Sequence, residues 1–174
     1  VALDADDLAP FERFPGDPLA GIALQRELEE RAFRLGGNSY AAPAQRLEDF
    51  LAARPSTRLG AIAASYQPGV HPADLDALLP PPIVEALREA LPVFARKLKG
   101  YDHPDAVLTG VETRTSSPVR IPRDEALESL NVKGLVPAGE GAGYAGGILS
   151  AGIDGIRAAE AVARQLLMDK IEKC

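Results

Sequence analysis

One cysteine, Cys174 at the last position, is all the chain has among its 174 residues, so no internal disulfide and no cysteine-based metal site can form. A reducing cytoplasm is the expected compartment. Histidine is nearly as scarce: His71 and His103 each stand beside a proline in a turn, and two isolated imidazoles give no metal-ligand spacing, so no metal is expected. No run approaches the roughly 18–20 apolar residues that a membrane helix requires. Cationic residues fall short of acidic ones, 19 against 25 for a formal charge of −6, which argues against broad nucleic-acid binding, since that needs a basic face. There is no initiating methionine and no signal-peptide pattern. Val1 opens directly into an acidic, proline-bearing segment, which points to a fragment of a longer chain.

What the chain does have is one glycine-dense stretch, Lys133 to Gly155, reading KGLVPAGEGAGYAGGILSAGIDG. The apolar run Leu135 to Ala138 precedes it and a helical pattern follows from Gly147, so the expected order is strand, glycine loop, helix. Glycine lets the backbone take positive φ and approach a ligand, while the first N–H groups of a helix carry partial positive charge. The stretch lacks the lysine and hydroxyl of G-x-x-x-x-G-K-[ST], which argues against ATP hydrolysis. Gly139 and Gly141 match G-x-G-x-x-G only loosely. Glu140, a carboxylate held among glycines, is suited to accept hydrogen bonds from sugar or ribityl hydroxyls, and a solvent-exposed loop acid accounts for it equally well.

Upstream, residues 1 to 16 read as a strand remnant and a loop. A first helix is expected with Asp17 as cap, Pro18 at its first position and Gly36 as left-handed stop, carrying Leu24, Leu28, Ala32 and Leu35 inward. Pro43 is read as opening a second helix with Leu47, Phe50 and Leu51 on one face, ended by Pro55. Asp74 to Leu79 is short helix, and the prolines 80–82 lead into a third, Ile83 to Lys99, which Pro92 should bend or break near Ala90. Composition then turns β-favouring: Val107 to Val111, Glu112 to Thr115 and Val119 to Ile121 are read as brief strands around a Ser116, Ser117, Pro118 turn. Arg114 and Arg120 alternate there and are candidates for an anion. In the last helix, Gly147 to Met168, Asp154, Arg157, Glu160 and Arg164 form the expected polar stripe. Ile148, Ala151, Gly155, Ala159, Val162 and Leu166 form the expected packing face.

The segments TGVETRTSSPVRI and NVKGLVPAGEGAGYAGGILSAGIDGI, with DPLAGIALQRELEERAF, APAQRLEDF and SYQPGV upstream, resemble the C-terminal end of bacterial FAD-dependent dehydrogenases. The likeness covers nearly the whole chain. It implies an α+β arrangement: a helix-rich inserted domain plus the C-terminal return segment of a two-part FAD-binding α/β fold. It further implies a connector over 1–17, a helical, substrate-side region over 18–105, and part of the FAD-binding domain over 106–174. The partner so implied is an N-terminal dinucleotide-binding half of the same protein, because no clean G-x-G-x-x-G follows a strand near the start here. Gly139, Glu140 and Gly141 would lie at the pyrophosphate and ribityl, and Gly146, Gly147 and Ile148 near the flavin ring. Glu112, Arg114, Thr115, Ser116, Ser117 and Tyr144 would line the pocket. FAD is thus the expected cofactor of the parent, and poor binding is expected of this chain alone. The rival is a noncatalytic helical domain whose glycine loop binds an anion or packs on a partner. A hydrolase using Ser116 ranks behind both, since no G-x-S-x-G surrounds any serine. No catalytic acid, base or substrate is assigned.

Overall fold

The computed structural model describes residues 3–114 and 116–171. They form an α+β chain in two compact units, one of Val1–Pro10 with Ala23–Thr113 and the other of Phe11–Ile22 with Arg114–Cys174.

The first unit opens on a short helix, α1 (Ala5–Leu8), where a strand remnant is expected. Asp4 accepts the N–H groups of Asp6 and Asp7, and Asp7 reaches back to the Asp4 N–H, a reciprocal cap that fixes the turn. Helix α2 (Ala20–Leu35) buries Leu24 and Leu28 as its spacing foretells. Its stop is displaced by one residue. Gly37, at φ +82°, takes the left-handed position, with Gly37 N–H bonded to the Arg34 carbonyl and Asn38 N–H to that of Phe33. Gly36 is needed for a different reason, since a Cβ there would run into the Ala41 carbonyl.

Pro43 does not open a helix. It lies in β1 (Ala42–Arg46), the central strand of a three-stranded sheet ordered β2–β1–β3, with β2 at Val70–Pro72 and β3 at Val107–Thr109. Strand β1 runs parallel to β2, pairing Pro43 with His71, and antiparallel to β3, pairing Ala44 with Thr109. The proline is tolerated because its missing N–H falls at the end of the β1–β3 ladder. There its carbonyl still accepts the Gly110 N–H at 2.9 Å. The helix itself, α3, begins at Leu47 and ends at Leu51.

Helix α4 (Pro81–Lys97) starts on the proline run, with Pro80 as cap, and continues unbroken through Pro92. It turns Val84, Leu87 and Leu91 to the core, and Phe94 and Leu98 are exposed, so only the first half of the expected face packs. The core gathers these with Leu47, Phe50, Leu75 and Leu78. At its centre the fully buried Gln45 gives its amide to the Arg54 carbonyl at 2.8 Å and takes the Leu75 N–H at 2.9 Å. The β-favouring stretch beyond Thr109 forms no further strand among the described residues. Thr113 instead bonds back to α2, its carbonyl accepting from Gln25 and its hydroxyl donating to Glu29.

The second unit is built on α5 (Ile148–Ile171) and the loops around it. Asp17, expected to cap a helix at Pro18, is buried and accepts the Leu19 N–H at 2.9 Å and the Arg13 guanidinium at 2.6 Å, one turn before α2 begins. Leu135 to Ala138 forms no strand among the described residues. The order preceding α5 is therefore loop, one turn of 3-10 helix over Glu140–Ala142, then helix.

Candidate functional site

The glycine loop is held from two sides. On one side, α5 supplies Asp154, whose carboxylate accepts the Gly139 N–H at 2.8 Å and two bonds from Arg123, at 2.6 and 3.0 Å. On the other, the segment 117–123 contributes several ties. Arg123 also donates to the Pro137 carbonyl at 2.7 Å, the Tyr144 hydroxyl donates to the Ile121 carbonyl at 2.9 Å, and the Ile121 N–H donates to the Ala142 carbonyl. The Ser117 hydroxyl lies 2.8 Å from the Val119 carbonyl and 3.2 Å from that of Gly141. The guanidinium carbons of Arg123 and Arg120 stand over the Tyr144 ring at 3.6 and 4.4 Å.

The Arg123–Asp154 pair is nearly buried, with side chains 10% and 12% exposed. The Arg123 hydrogen bond, with help from the Gly139 N–H, holds the Asp154 carboxyl down at about 2. The loop is thus anchored on a fixed negative charge that is itself fully matched. Gly139 takes φ +69° and Gly143 φ +83°; a Cβ on Gly143 would lie 2.7 Å from the Val119 carbonyl oxygen and 2.9 Å from Arg120 Cα. These two glycines serve the fold.

The others leave room. Gly141 and Gly146 have open space where a Cβ would stand, and Gly147 meets only the Ser150 hydroxyl at 3.5 Å. Together they expose a strip of backbone running into the start of α5. Glu140 is half-buried, and its carboxylate has no partner among the described residues. The residues present therefore fit a flat, hydroxyl-bearing and negatively charged group laid along the strip: bare backbone for close approach, one free carboxylate for hydroxyls, and the N-terminal end of a 24-residue helix.

Of the expected site residues, Gly139, Glu140, Gly141 and Tyr144 share one loop and Ser117 lies against it. Gly146, Gly147 and Ile148 follow in sequence, with Ile148 almost wholly exposed. Glu112 belongs to the first unit and is exposed; Arg114 and Ser116 belong to the second and are exposed as well. Thr115 lies outside the described residues. His103 accepts the Asp105 N–H on its Nδ1 in an exposed turn, and His71 is exposed on β2. Among the described residues, no group of three or more His, Cys, Asp or Glu is placed to hold a metal, and no helix is long and apolar enough to cross a membrane. A groove of about 570 Å³ runs between the loop at Glu125–Glu128 and the outer turns of α5, and includes none of the expected site residues.

Sequence reasoning missed Arg123 altogether and read Asp154 as part of a polar stripe on the last helix. The signal for Asp154 was its spacing from Ala151, Gly155 and Ala158, small residues that share its side of the helix.

A family model described as "FAD-dependent protein, C-terminal domain-like" matches residues 5–115. An uncharacterized protein of Clostridium beijerinckii is 50% identical over 160 residues, which is 91% of this chain and 30% of that relative's length. The family match ends before the glycine loop, whereas a 160-residue match takes in the loop wherever it is placed. The chain spans about a third of the relative it matches.

Proposed function

The chain belongs to the FAD-dependent protein family at its C-terminal domain, and from that premise we propose that it is the C-terminal portion of a flavin-dependent oxidoreductase, contributing the ribityl and isoalloxazine side of the flavin site. The observation that carries this reading is the exposed backbone strip at Gly141, Gly146 and Gly147, placed beside the unpartnered Glu140 and anchored by Arg123 and Asp154. In this reading Gly139, Glu140 and Gly141 face the pyrophosphate and ribityl, and Gly146, Gly147 and Ile148 approach the flavin ring. Glu112, Arg114, Thr115, Ser116, Ser117 and Tyr144 line the pocket. The helical region over 18–105 forms the substrate side, and an N-terminal dinucleotide-binding half of the same polypeptide completes the site. The flavin, when bound, supplies hydride or electron transfer, and the parent is read as a dehydrogenase. This chain's own part is to hold the group: the start of α5 offers partial positive charge, and Glu140 fixes hydroxyl orientation.

The experiment is purification of the full-length polypeptide. A yellow protein with a flavin absorption spectrum supports the reading, and a folded protein that stays colourless and ignores added FAD overturns it. Gly147→Val then locates the site. The structure leaves space for the new side chain, so retained folding with weakened flavin retention is expected, and unchanged retention would remove Gly147 from the contact.

A further inference from the structure

Helix α5 carries more apolar surface than its packed side uses, with Ile148, Val162 and Leu166 exposed beyond it. Ala151, Gly155, Ala158 and Ala161 turn inward with Asp154, and Ala158 is buried. Across the helix, Leu149, Ile153, Ile156 and Leu167 recur at spacings of four, three and eleven residues. They are 84%, 53%, 63% and 63% exposed. Gly152, Ala159 and Ala163 lie between them on the same exposed side, so large aliphatic groups alternate with gaps. Arg157 and Arg164 border this outward side along one edge, and Glu160 stands within it, one turn beyond Ile156. A contiguous exposed set of isoleucines and leucines of this length marks a contact surface.

We propose that the outward aliphatic face of α5 is the seat for the remainder of the same polypeptide, which packs an apolar surface of its own on Leu149, Ile153, Ile156 and Leu167. The length of the relative argues for this occupant: at 50% identity this chain accounts for 30% of it, leaving ample chain to cover the face. A segment tethered in the same molecule acts at an effective concentration of about millimolar, which outcompetes a free second copy at ordinary protein concentrations. The alternating small residues suit a flat partner surface that approaches the helix closely. The inference rests on the reading that this chain is part of a longer polypeptide, and is independent of whether flavin binds.

Ile156→Cys and Arg164→Cys are made separately in the full-length polypeptide, both with Cys174→Ser. Labelling by a polar maleimide is followed at each engineered position by peptide mass spectrometry, against the same protein unfolded in urea. At Ile156→Cys the rate is expected to fall at least about tenfold on folding, with little slowing at Arg164→Cys. Ile153→Cys reads the same face should Ile156→Cys not fold. Equal, fast labelling at both positions in folded protein overturns the proposal, as does equal slowing at both. Protection that disappears on dilution together with a dimer seen by light scattering also overturns it, assigning the face to a second copy. Flavin content is measured on the same samples: slow labelling in a colourless protein keeps the docking and removes the cofactor reading, and fast labelling in a yellow one does the reverse.

Discussion

Arg123 and Asp154 share two hydrogen bonds, and the carboxylate oxygen that takes the longer of them, Oδ2, is also the oxygen that accepts the Gly139 N–H. One side chain of α5 therefore fixes both an arginine and the first turn of the glycine loop. Asp154→Ala should cost about 3 kcal/mol, because it strands a guanidinium that is only 10% exposed. Replacing both partners with leucine should recover a large part of that loss. Urea unfolding, analysed for two transitions since the chain has two units, checks both values.

The same carboxylate makes a pH prediction. Its folded pKa of about 2 lies below the ordinary value of 3.8, so the ionised form is favoured by folding. The stability this brings, about 2 kcal/mol from the size of the shift, is fully present above pH 4 and disappears as the pH falls through 2. Asp17 adds to the same acid limb: its hydrogen bond from Arg13 and then the Leu19 N–H hold it well below the usual carboxylate range. Urea midpoints measured from pH 5 to pH 2 should fall less steeply in Asp154→Asn than in the unaltered chain.

The glycines of the loop should divide by role. Gly143→Ala combines positive φ with a clash against the backbone of Val119 and Arg120, and about 2–3 kcal/mol of destabilisation is expected. Gly141→Ala meets nothing within 4 Å and should stay within about 0.5 kcal/mol. Thermal unfolding of the two variants side by side is the check; equal losses would mean the loop is not the rigid object described.

Gln45 offers a test in the other unit. Gln45→Leu keeps the volume and removes both hydrogen bonds, leaving the Arg54 carbonyl and the Leu75 N–H without their partner. A loss of about 2–3 kcal/mol is expected, with faster hydrogen exchange at the Leu75 amide. Unchanged exchange there would show that the glutamine is a filler rather than a clamp.

What could be read from the sequence follows from how local the determining physics is. The inward Leu24 and Leu28 of α2, the proline lead-in to α4 and the inward Leu47, Phe50 and Leu91 depend on spacing within one turn or two, and they stand where the pattern puts them, although both ends of α2 are shifted by a residue or two. Pro43 misled because a proline after a turn looks like a helix start. Its place in a central strand depends on partners at His71 and Gly110, far along the chain. The strands expected at Leu135–Ala138 and Val119–Ile121 failed for the converse reason: β-favouring residues make a strand only where another strand is on hand to pair. At the candidate site, the glycines were legible by density alone. Arg123 was not, since its role comes from a single residue on a helix some thirty positions later. On α5, Ala151 and Gly155 of the expected packing face turn inward while Ile148, Ala159, Val162 and Leu166 stay exposed and Asp154 leaves the polar stripe, because periodicity cannot say how much of an apolar side the described residues cover.

The placing of β1 in the middle of its sheet has a kinetic consequence. Ala44 reaches its antiparallel partner Thr109 only after about 65 further positions, and its parallel partner Pro72 lies across a connection that includes α3. Neither edge can form from local chain. On a ribosome, the central strand must wait unpaired until the C-terminal half of its own unit has emerged, while α2 can already be helical. The sheet should therefore be the late, rate-limiting step in acquiring this fold, and exposed apolar chain around Leu47 and Phe50 is what a nascent-chain chaperone would meet in the interval.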